Sequence, residues 1–556
     1  MAGLATSFGS GAMTNSISEI QDTACLFVIG SNTTETHPVI GLQVRKAVRE
    51  KGARLIVANP KEIDLCRLAD VWLRLRPGTD LALLNGLAHV ILRDGLEDTS
   101  FIFERTEGYD AWRESVQKYT PELVSKITGV PVGQIELAAR MYATAGGREG
   151  GASAILYTMG ITQHVTGTDN VEAIANLAML TGNVGKPFAG VDPLRGQSNV
   201  QGACDVGALP DVYTGYQKVA AEAARTKFEA AWGCQLPSLP GKTMPEIVKA
   251  AEDGQIKALY IMGENPLLSD PDINHLEHVL KSLEFMVVQD IFLTETGKLA
   301  DVVLPGASSA EKDGTFTNTE RRVQRVRKAI NPVGESRADW EIVQELAQRT
   351  AKKIGGQTEA LAEGFKQASP AEVMDEIASV TPSYAGISFE RLDNGGLQWP
   401  VPAADHPETP ILHVGKFSRG KGMFTPVEYM EAAELPDDKF PLLLTTGRRL
   451  QHYHTGTLTR RVKGLSALVD REYVQIHPAD ASRLGVSDGE QVEVASRRGV
   501  ARGTAQVTTT VPEGVVFMDI HFGESPANAL TTSAHDRVAK IAELKVCAVR
   551  VEKMHT

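Results

Sequence analysis

One order of residues occurs twice in this chain, more than two hundred residues apart, and it limits the fold more than any other feature. In the first copy Cys25–Ile29 (CLFVI) reads as a buried strand, Gly30-Ser31-Asn32 as a turn and His37–Glu50 as a helix, with Ile40, Val44, Ala47 and Val48 on one face. Arg54–Val57 is the next strand, closed by Asn59-Pro60, and Ala69–Leu73 the third, followed by Pro77-Gly78-Thr79-Asp80. In the second copy Ala258–Met262 is the strand, Gly263-Glu264-Asn265-Pro266 the turn and Ile273–Leu283 the helix. Phe285–Val288 then leads to Gln289-Asp290, and Ala300–Leu304 to Pro305-Gly306. Strands alternating with helices predict parallel, doubly wound sheets with right-handed crossovers. Ligands of such sheets sit beyond the carboxyl ends of the strands, where both G-x-N turns lie. Amides at a helix start attract phosphate oxygens, and a polar residue closing the second strand can bond a ribose or a base. One copy alone reads better as an ordinary strand–helix–strand unit with a tight turn. Two matching copies point to two related nucleotide sites.

Between the copies the pattern predicts helices over Leu83–Arg93, Pro121–Thr128 and Val132–Thr144, a strand over Ala154–Met159 and a helix over Glu172–Thr181 ending at Gly182-Asn183. Asp313–Arg325 is polar and highly charged, and Lys352–Pro410 reads as irregular connection with short helices. From about Pro441 the chain changes character. Pro441–Thr446, Tyr473–Ile476, Gln491–Ala495, Ala505–Thr510 and Val515–Met518 read as strands between Gly-rich turns, with a short helix at Pro478–Leu484. That is the pattern of a mostly β, barrel-like domain. The expected fold class is therefore α/β: two doubly wound parallel-sheet nucleotide-binding units related by an internal repeat, plus a C-terminal mostly β barrel domain. The expected divisions are 1–197 and 198–308 for the two dinucleotide-binding domains, 309–425 for a connecting helical and irregular region, and 426–556 for the barrel.

Composition excludes several classes. A net charge of −12 argues against a protein dominated by nucleic-acid or anionic-membrane binding. The five cysteines, Cys25, Cys66, Cys204, Cys234 and Cys547, are scattered and form no C-x-x-C. This excludes a disulfide framework, a Cys-based zinc site of familiar spacing and an iron–sulfur run, and fits a reducing, cytoplasmic setting. No apolar run approaches the ~18–20 residues of a membrane span. Met1–Asp22 lacks the basic start and apolar core of a signal peptide.

The segment Pro193–Asp205 (PLRGQSNVQGACD) is Gly-rich and polar, with one Arg and no acid before Asp205. An Arg held by such a loop can present a bidentate cation to a small carboxylate, or it can be a surface Arg on a flexible loop. Together with Leu180–Gly185 (LTGNVG), Arg195–Gly207 (RGQSNVQGACDVG), Tyr260–Pro266 (YIMGENP), Val288–Phe292 (VQDIF), Asp301–Pro305 (DVVLP) and Val546–Val551 (VCAVRV), it resembles a known family. That family is the catalytic subunit of prokaryotic molybdenum- or tungsten-dependent formate dehydrogenases, within the molybdopterin oxidoreductase superfamily. The resemblance spans essentially the whole chain.

The resemblance implies two molybdopterin guanine dinucleotides around one Mo or W, one per copy of the repeat. By position it assigns Asn32, Glu35, Lys61, Gly78 and Asp80 to the first, and Asn265, Ser269, Gln289, Asp290 and Gly306 to the second, with Asp339 also on the cofactor. Asn59-Pro60 stands where the family usually has Asp-Pro, which removes a charge but keeps a hydrogen-bonding group. In the barrel, Thr446, Gly447, Arg448, Arg449 and His452 match the first cofactor-contacting loop, and His521, Phe522, Asn528 and Lys545 the later ones. His37 and His164 read as packed or surface residues. Met159, Gln163, Gly196 and Gln197 match residues lining the cofactor, and Arg195 matches the Arg that faces formate.

The resemblance also implies features outside these matches. The family's metal is held by a Cys or selenocysteine followed by His, a few residues upstream of an A-G-L-A segment, here Ala2–Ala5. A 4Fe–4S cluster domain precedes it. The expectation is therefore a chain cut just after its metal ligand, as a UGA selenocysteine codon read as a stop would produce. Such a chain is inactive alone. The implied partners are formate and CO2, electron-transfer subunits or a separate N-terminal half, with no nucleic acid and no membrane span. A non-catalytic cofactor-binding module that docks with such a half, and another oxyanion oxidoreductase of the same superfamily, are the alternatives.

Overall fold

The structure is a computed structural model that describes residues 1–554. Five strands, β1 (Cys25–Ile29), β2 (Arg54–Ala58), β3 (Val71–Leu73), β4 (Ser153–Tyr157) and β5 (Gly190–Pro193), form one parallel sheet in the order β3-β2-β1-β4-β5. Every residue of β1 and β4 is buried, as a parallel sheet covered on both faces requires. Each large apolar side chain so buried contributes about 1.5–3 kcal/mol. The Pro38–Lys51 helix begins with Pro in its first turn and stops at Gly52, whose φ of +69° supplies the left-handed cap.

The Gly167–Leu180 helix has apolar and small residues on all sides and is buried on all sides, which marks a central core helix. It starts five residues before the sequence predicts. The Asp536 carboxylate accepts from the Thr168 amide at 2.9 Å and its hydroxyl at 2.8 Å, so a residue far along the chain caps this end. A second difference lies at the N-terminus, where Ala2–Phe8 is helical and sends Leu4 and Phe8 into the same core.

The second copy gives a parallel sheet of three strands, β6 (Ala258–Met262), β7 (Phe285–Asp290) and β8 (Val302–Pro305), in the order β6-β7-β8. In both copies the third strand starts at the Val of A-D-V, because the Asp before it is used elsewhere. The Asp70 carboxylate accepts from the Leu55 amide at 2.9 Å, and the Asp301 carboxylate from the Met286 amide at 2.7 Å. The charged stretch at 313–325 is an antiparallel pair, β9 (Gly314–Thr317) with β10 (Arg322–Val326). The 352–410 region contains the end of the Asp339–Ile354 helix and the Pro370–Val380 helix among irregular chain.

The C-terminal strands β11 (Leu442–Gly447), β12 (Tyr473–Ile476), β13 (Gln491–Ala495), β14 (Val500–Val507), β15 (Val515–Asp519) and β16 (Cys547–Lys553) close into a barrel in the order β11-β15-β12-β14-β13-β16. Pairs β11–β15 and β12–β14 are parallel and the rest antiparallel. Closure removes the exposed edges of the sheet. The expected α/β class with a C-terminal barrel is what the structure shows. The chain forms two compact units: Met1–Leu194 with Pro266–His278 and Ile411–Thr556, and Arg195–Asn265 with Val279–Pro410. No helix among the described residues is long and apolar enough to cross a membrane.

Candidate functional site

In the first unit, chain order reverses between β1 and β4, which makes a crevice at the carboxyl ends of those strands. Gly30, with φ +56°, turns out of β1. Its carbonyl accepts from the Gly160 amide at 3.1 Å and the Thr158 hydroxyl at 2.7 Å, and a Cβ on Gly160 would collide with it. The turn after β4 therefore lies directly against the G-x-N turn. Met159 is 43% exposed there despite its apolar side chain, and the amide of Gln163 closes the same turn on the Met159 carbonyl. Asn32 Oδ1 and Glu35 Oε2 are buried without a hydrogen-bond partner. Burial pushes the Glu35 carboxyl up, opposed by Lys61, and pushes the Lys61 ammonium down, opposed by Glu35. Lys61 Nζ stands 3.7 Å above the Phe517 ring.

The residues closing the second strands behave alike in both copies. Asn59 Oδ1 accepts from the Lys61 amide at 3.1 Å, and Asp290 Oδ1 from the Ile291 amide at 2.6 Å, so each side chain caps its own turn. After β3, Gly78 takes φ +82° and Asp80 opens the Asp80–Arg93 helix. Burial raises the Asp80 carboxyl to about 7. His164 is buried 3.8 Å away, its Nε2 at 2.8 Å from the Gly160 carbonyl, and burial lowers it to about 4.

At the carboxyl ends of β11 and β15 the barrel gathers Thr446, Gly447, Arg448, Arg449, His452, His521 and Phe522. Several of these are used internally. The Thr446 hydroxyl donates to the Leu544 carbonyl at 2.8 Å, Arg449 pairs with Asp519, and the Arg449 amide donates to His521 Nε2 at 2.9 Å. His452 Nε2 lies 2.8 Å from the Val469 carbonyl. His452 and His521 have ring centroids 5.5 Å apart, and Phe522 stands edge-on to His452. Asn528 donates to the carbonyls of Leu268 and Ser269 at 2.8 and 3.1 Å, while its Oδ1 is buried without a partner.

Two cations differ from the rest. Burial, reinforced by Arg448, lowers Lys545 to about 8, and its Nζ donates to the Thr446 carbonyl at 2.7 Å. Burial also lowers Arg448, whose guanidinium lies over Tyr453. Neither has a carboxylate within 4 Å among the described residues. Half-buried positive charge without a counter-ion favours an anion beside it. Together with the unpartnered acceptors at Asn32, Glu35 and Asn528, this fits a ligand that carries both phosphates and hydrogen-bond donors.

In the second unit, Asn265 Oδ1 accepts from the Thr296 hydroxyl at 2.8 Å, and its Nδ2 donates to Glu295 at 2.9 Å. Gln289 accepts from the Tyr260 hydroxyl and donates to Asp339 Oδ1 at 2.7 Å, while Asp339 pairs with Lys312. A Cβ on Gly306 would stand 3.0 Å from Asp339 Oδ1. Beside these residues is a cavity of about 300 Å³ whose lining includes Asn199, Lys312, Phe316, Asp339, Trp340 and Phe389. Gly196 is half-buried and Gln197 exposed. The Arg195 amide donates to the Thr319 hydroxyl at 3.0 Å, and Arg195 Nε donates to Gln201 Oε1 at 2.7 Å. Gln201 leads on to Asp205, Tyr216, Tyr384 and Trp399, none of which sequence reasoning singled out as a site residue. The four-residue spacing of Gln201 and Asp205 on the Val200–Asp205 helix was the one local signal. Tyr384 and Trp399 lie too far along the chain to give any.

Two family matches cover this architecture. Residues 3–349 match the molybdopterin oxidoreductase family and residues 442–548 the molydopterin dinucleotide binding domain. The chain belongs to the molybdopterin oxidoreductases. More narrowly, it is similar to formate dehydrogenase α subunits. It is 49% identical to the F420-dependent formate dehydrogenase 1 subunit alpha of Methanococcus maripaludis, covering 100% of this chain and 80% of that protein. It is 40% identical to formate dehydrogenase H of Escherichia coli, covering 99% of this chain and 76% of that protein. Among solved structures, acetylene hydratase from Pelobacter acetylenicus superposes with a TM-score of 0.76 at 20% identity, over 100% of this chain and 80% of that one, a likeness of fold.

Proposed function

We propose that this chain carries the two-dinucleotide cradle and the formate-facing arginine of a formate dehydrogenase α subunit. The observation that carries the reading is Arg195. It sits at the head of the RGQSNVQGACDVG run, its backbone tied to Thr319 and its guanidinium to Gln201. The relatives named as formate dehydrogenases over nearly the whole chain support the substrate.

The cofactor in this reading is a pair of molybdopterin guanine dinucleotides. Asn32, Glu35, Lys61, Gly78 and Asp80 would hold the first. Asn265, Ser269, Gln289, Asp290, Gly306 and Asp339 would hold the second, with Met159, Gln163, Gly196 and Gln197 along the pterins. Arg448 and Lys545 supply positive charge suited to phosphates, and Asn528 an unfilled acceptor. Arg449, His452, His521 and Phe522 shape that wall from within. When bound, a Mo or W centre on the pterins supplies a two-electron acceptor.

The reaction is formate going to CO2 with loss of one proton and two electrons, and the electrons leave to partner subunits. Arg195 binds the carboxylate, orients its C–H bond and offsets charge in a site of low dielectric, where an ion pair is worth more than in water.

Purification with co-expressed partner subunits, followed by guanine and metal analysis and formate-dependent viologen reduction, tests this. Arg195→Lys keeps the charge but loses the planar fork, and is expected to lower kcat/KM for formate about 100-fold or more. Unchanged turnover removes Arg195 from the mechanism. Cofactor without turnover in the assembled wild type favours a binding module.

A further inference from the structure

We propose that Gln201 is the positioning residue of Arg195, and that Asp205 sets which way round the Gln201 amide lies. The proposal rests on the reading of Arg195 as the substrate-binding cation. Arg Nε–H can only donate, so it needs the oxygen end of the Gln201 amide, and the 2.7 Å contact is to Oε1. The other end of the amide meets the opposite demand. An ionised Asp205 can only accept, and Gln201 Nε2 donates to its Oδ1 at 2.7 Å and to the Tyr216 hydroxyl at 3.0 Å. Reversing the amide would put NH2 against a guanidinium and oxygen against a carboxylate. A donor-only group at one end and an acceptor at the other thus leave one orientation.

Asp205 itself is held on all sides. Oδ1 also accepts from the Tyr216 hydroxyl at 2.7 Å, and Oδ2 accepts from the Tyr384 hydroxyl and the Trp399 indole, each at 2.7 Å. Four donors fill the roughly four lone-pair sites of a carboxylate. Gln201, Asp205, Tyr384 and Trp399 are all buried. Tyr216 takes φ +61°, a conformation that costs a bulky residue on the order of 1–3 kcal/mol, and its hydroxyl both accepts from Gln201 and donates to Asp205. With Nε committed to Gln201, one edge of the Arg195 guanidinium is anchored, which limits the directions in which it can meet a carboxylate. The chain Asp205–Gln201–Arg195 carries the fixed position of a buried acid through to the guanidinium of a long side chain.

The test uses the assembled, cofactor-loaded enzyme with rates corrected for cofactor content. Gln201→Leu has no acceptor for Arg195 and is expected to raise the formate KM at least 20-fold, with kcat falling less than fivefold. Gln201→Glu restores the acceptor and is expected to bring KM back within about fivefold of wild type, though the protein is less stable beside Asp205. A merely structural role predicts that both variants lose stability and neither moves the corrected KM. That result overturns the proposal, as does Gln201→Leu with wild-type KM and kcat. If the wild-type assembly does not act on formate, the substrate reading fails and the positioning claim is decided separately. Hydrogen exchange at Arg195 Nε–H, read by NMR in the arginine-labelled full chain, should be at least tenfold faster in Gln201→Leu. An unchanged rate overturns the proposal.

Discussion

In the first copy of the repeat every residue of β1 is buried, whereas in the second the residues of β6 alternate between half-buried and exposed. Yet the hydrogen bonds at corresponding places agree. Gly30 and Gly263 both take positive φ and both donate to a carbonyl in the last two residues of the next strand, Ala58 at 3.1 Å and Gln289 at 2.8 Å. Asp70 and Asp301 cap their neighbouring strands in the same way. The register places Tyr260, Val287 and Val302 on one face of the smaller sheet, and Tyr260 and Val302 are both exposed. The repeated residues thus specify the turns and caps, and burial comes from whatever else the chain lays over each sheet.

The largest expected contrast follows from that division. Phe27→Ala, at a fully buried position, should cost about 3–5 kcal/mol in denaturant unfolding. Phe285→Ala, at a position 45% exposed, should cost under about 1 kcal/mol. Equal losses would break the comparison.

A pH difference sharpens it. The first copy is followed by Asp80, whose carboxyl burial raises to about 7, and the second by Glu311, held below the usual range by the amide of Ser308. A raised acid retains its proton in the folded state, so its contribution is full below about pH 4, declines as pH rises and is gone above about 7. Asp80→Asn removes that decline. It should be worth on the order of 3 kcal/mol more at pH 8 than at pH 4. Glu311 acts with the opposite sign: its contribution is present at neutral pH and fades as pH falls through its lowered value. Glu311→Gln should therefore cost stability at pH 7 and little in strong acid. Thermal or urea unfolding across pH reads both, and matching slopes would refute the assignment.

Smaller effects probe the shared parts. Asp70→Ala and Asp301→Ala each orphan one strand amide and should each cost about 1–2 kcal/mol, alike in the two copies despite their unequal burial. In the barrel, inorganic pyrophosphate should bind the purified chain about tenfold more weakly at pH 9.5 than at pH 7, as Lys545 loses its proton near 8. Lys545→Met should bind weakly at both. A pH-independent wild-type affinity would place the anion elsewhere.

Most of the fold was legible because its signals are local. CLFVI and ALYIM are strands by composition and length, Gly182-Asn183 follows the end of a helix, and the alternation after Pro441 reads as barrel strands. Two boundaries were not legible, since Asp536 sets the start of the Gly167–Leu180 helix and core packing makes Ala2–Phe8 helical. At the candidate site, Arg195, Arg448 and Lys545 were singled out by the family resemblance of the segments that carry them. Their surroundings were not, because Tyr384 and Trp399 reach Asp205 from nearly two hundred residues away. The sequence marked Asn59 and Asp290 as closing the second strands, and each also gives one side-chain oxygen to an amide of its own turn, which no pattern announces.

The first unit draws on both ends of the chain, and this bears on how it is made. The Leu412 amide donates to the Thr14 carbonyl, the Asn176 amide group to the Thr425 carbonyl, and Asp536 caps the central helix. During translation, the opening sheet emerges and then waits while roughly 200 further residues are added, on the order of 10–40 s at usual elongation rates. Throughout that interval the apolar sides of its helices lack their final cover. Nascent chains arrested before Ile411 should be clients of ribosome-associated chaperones, and release from them should coincide with the appearance of the barrel.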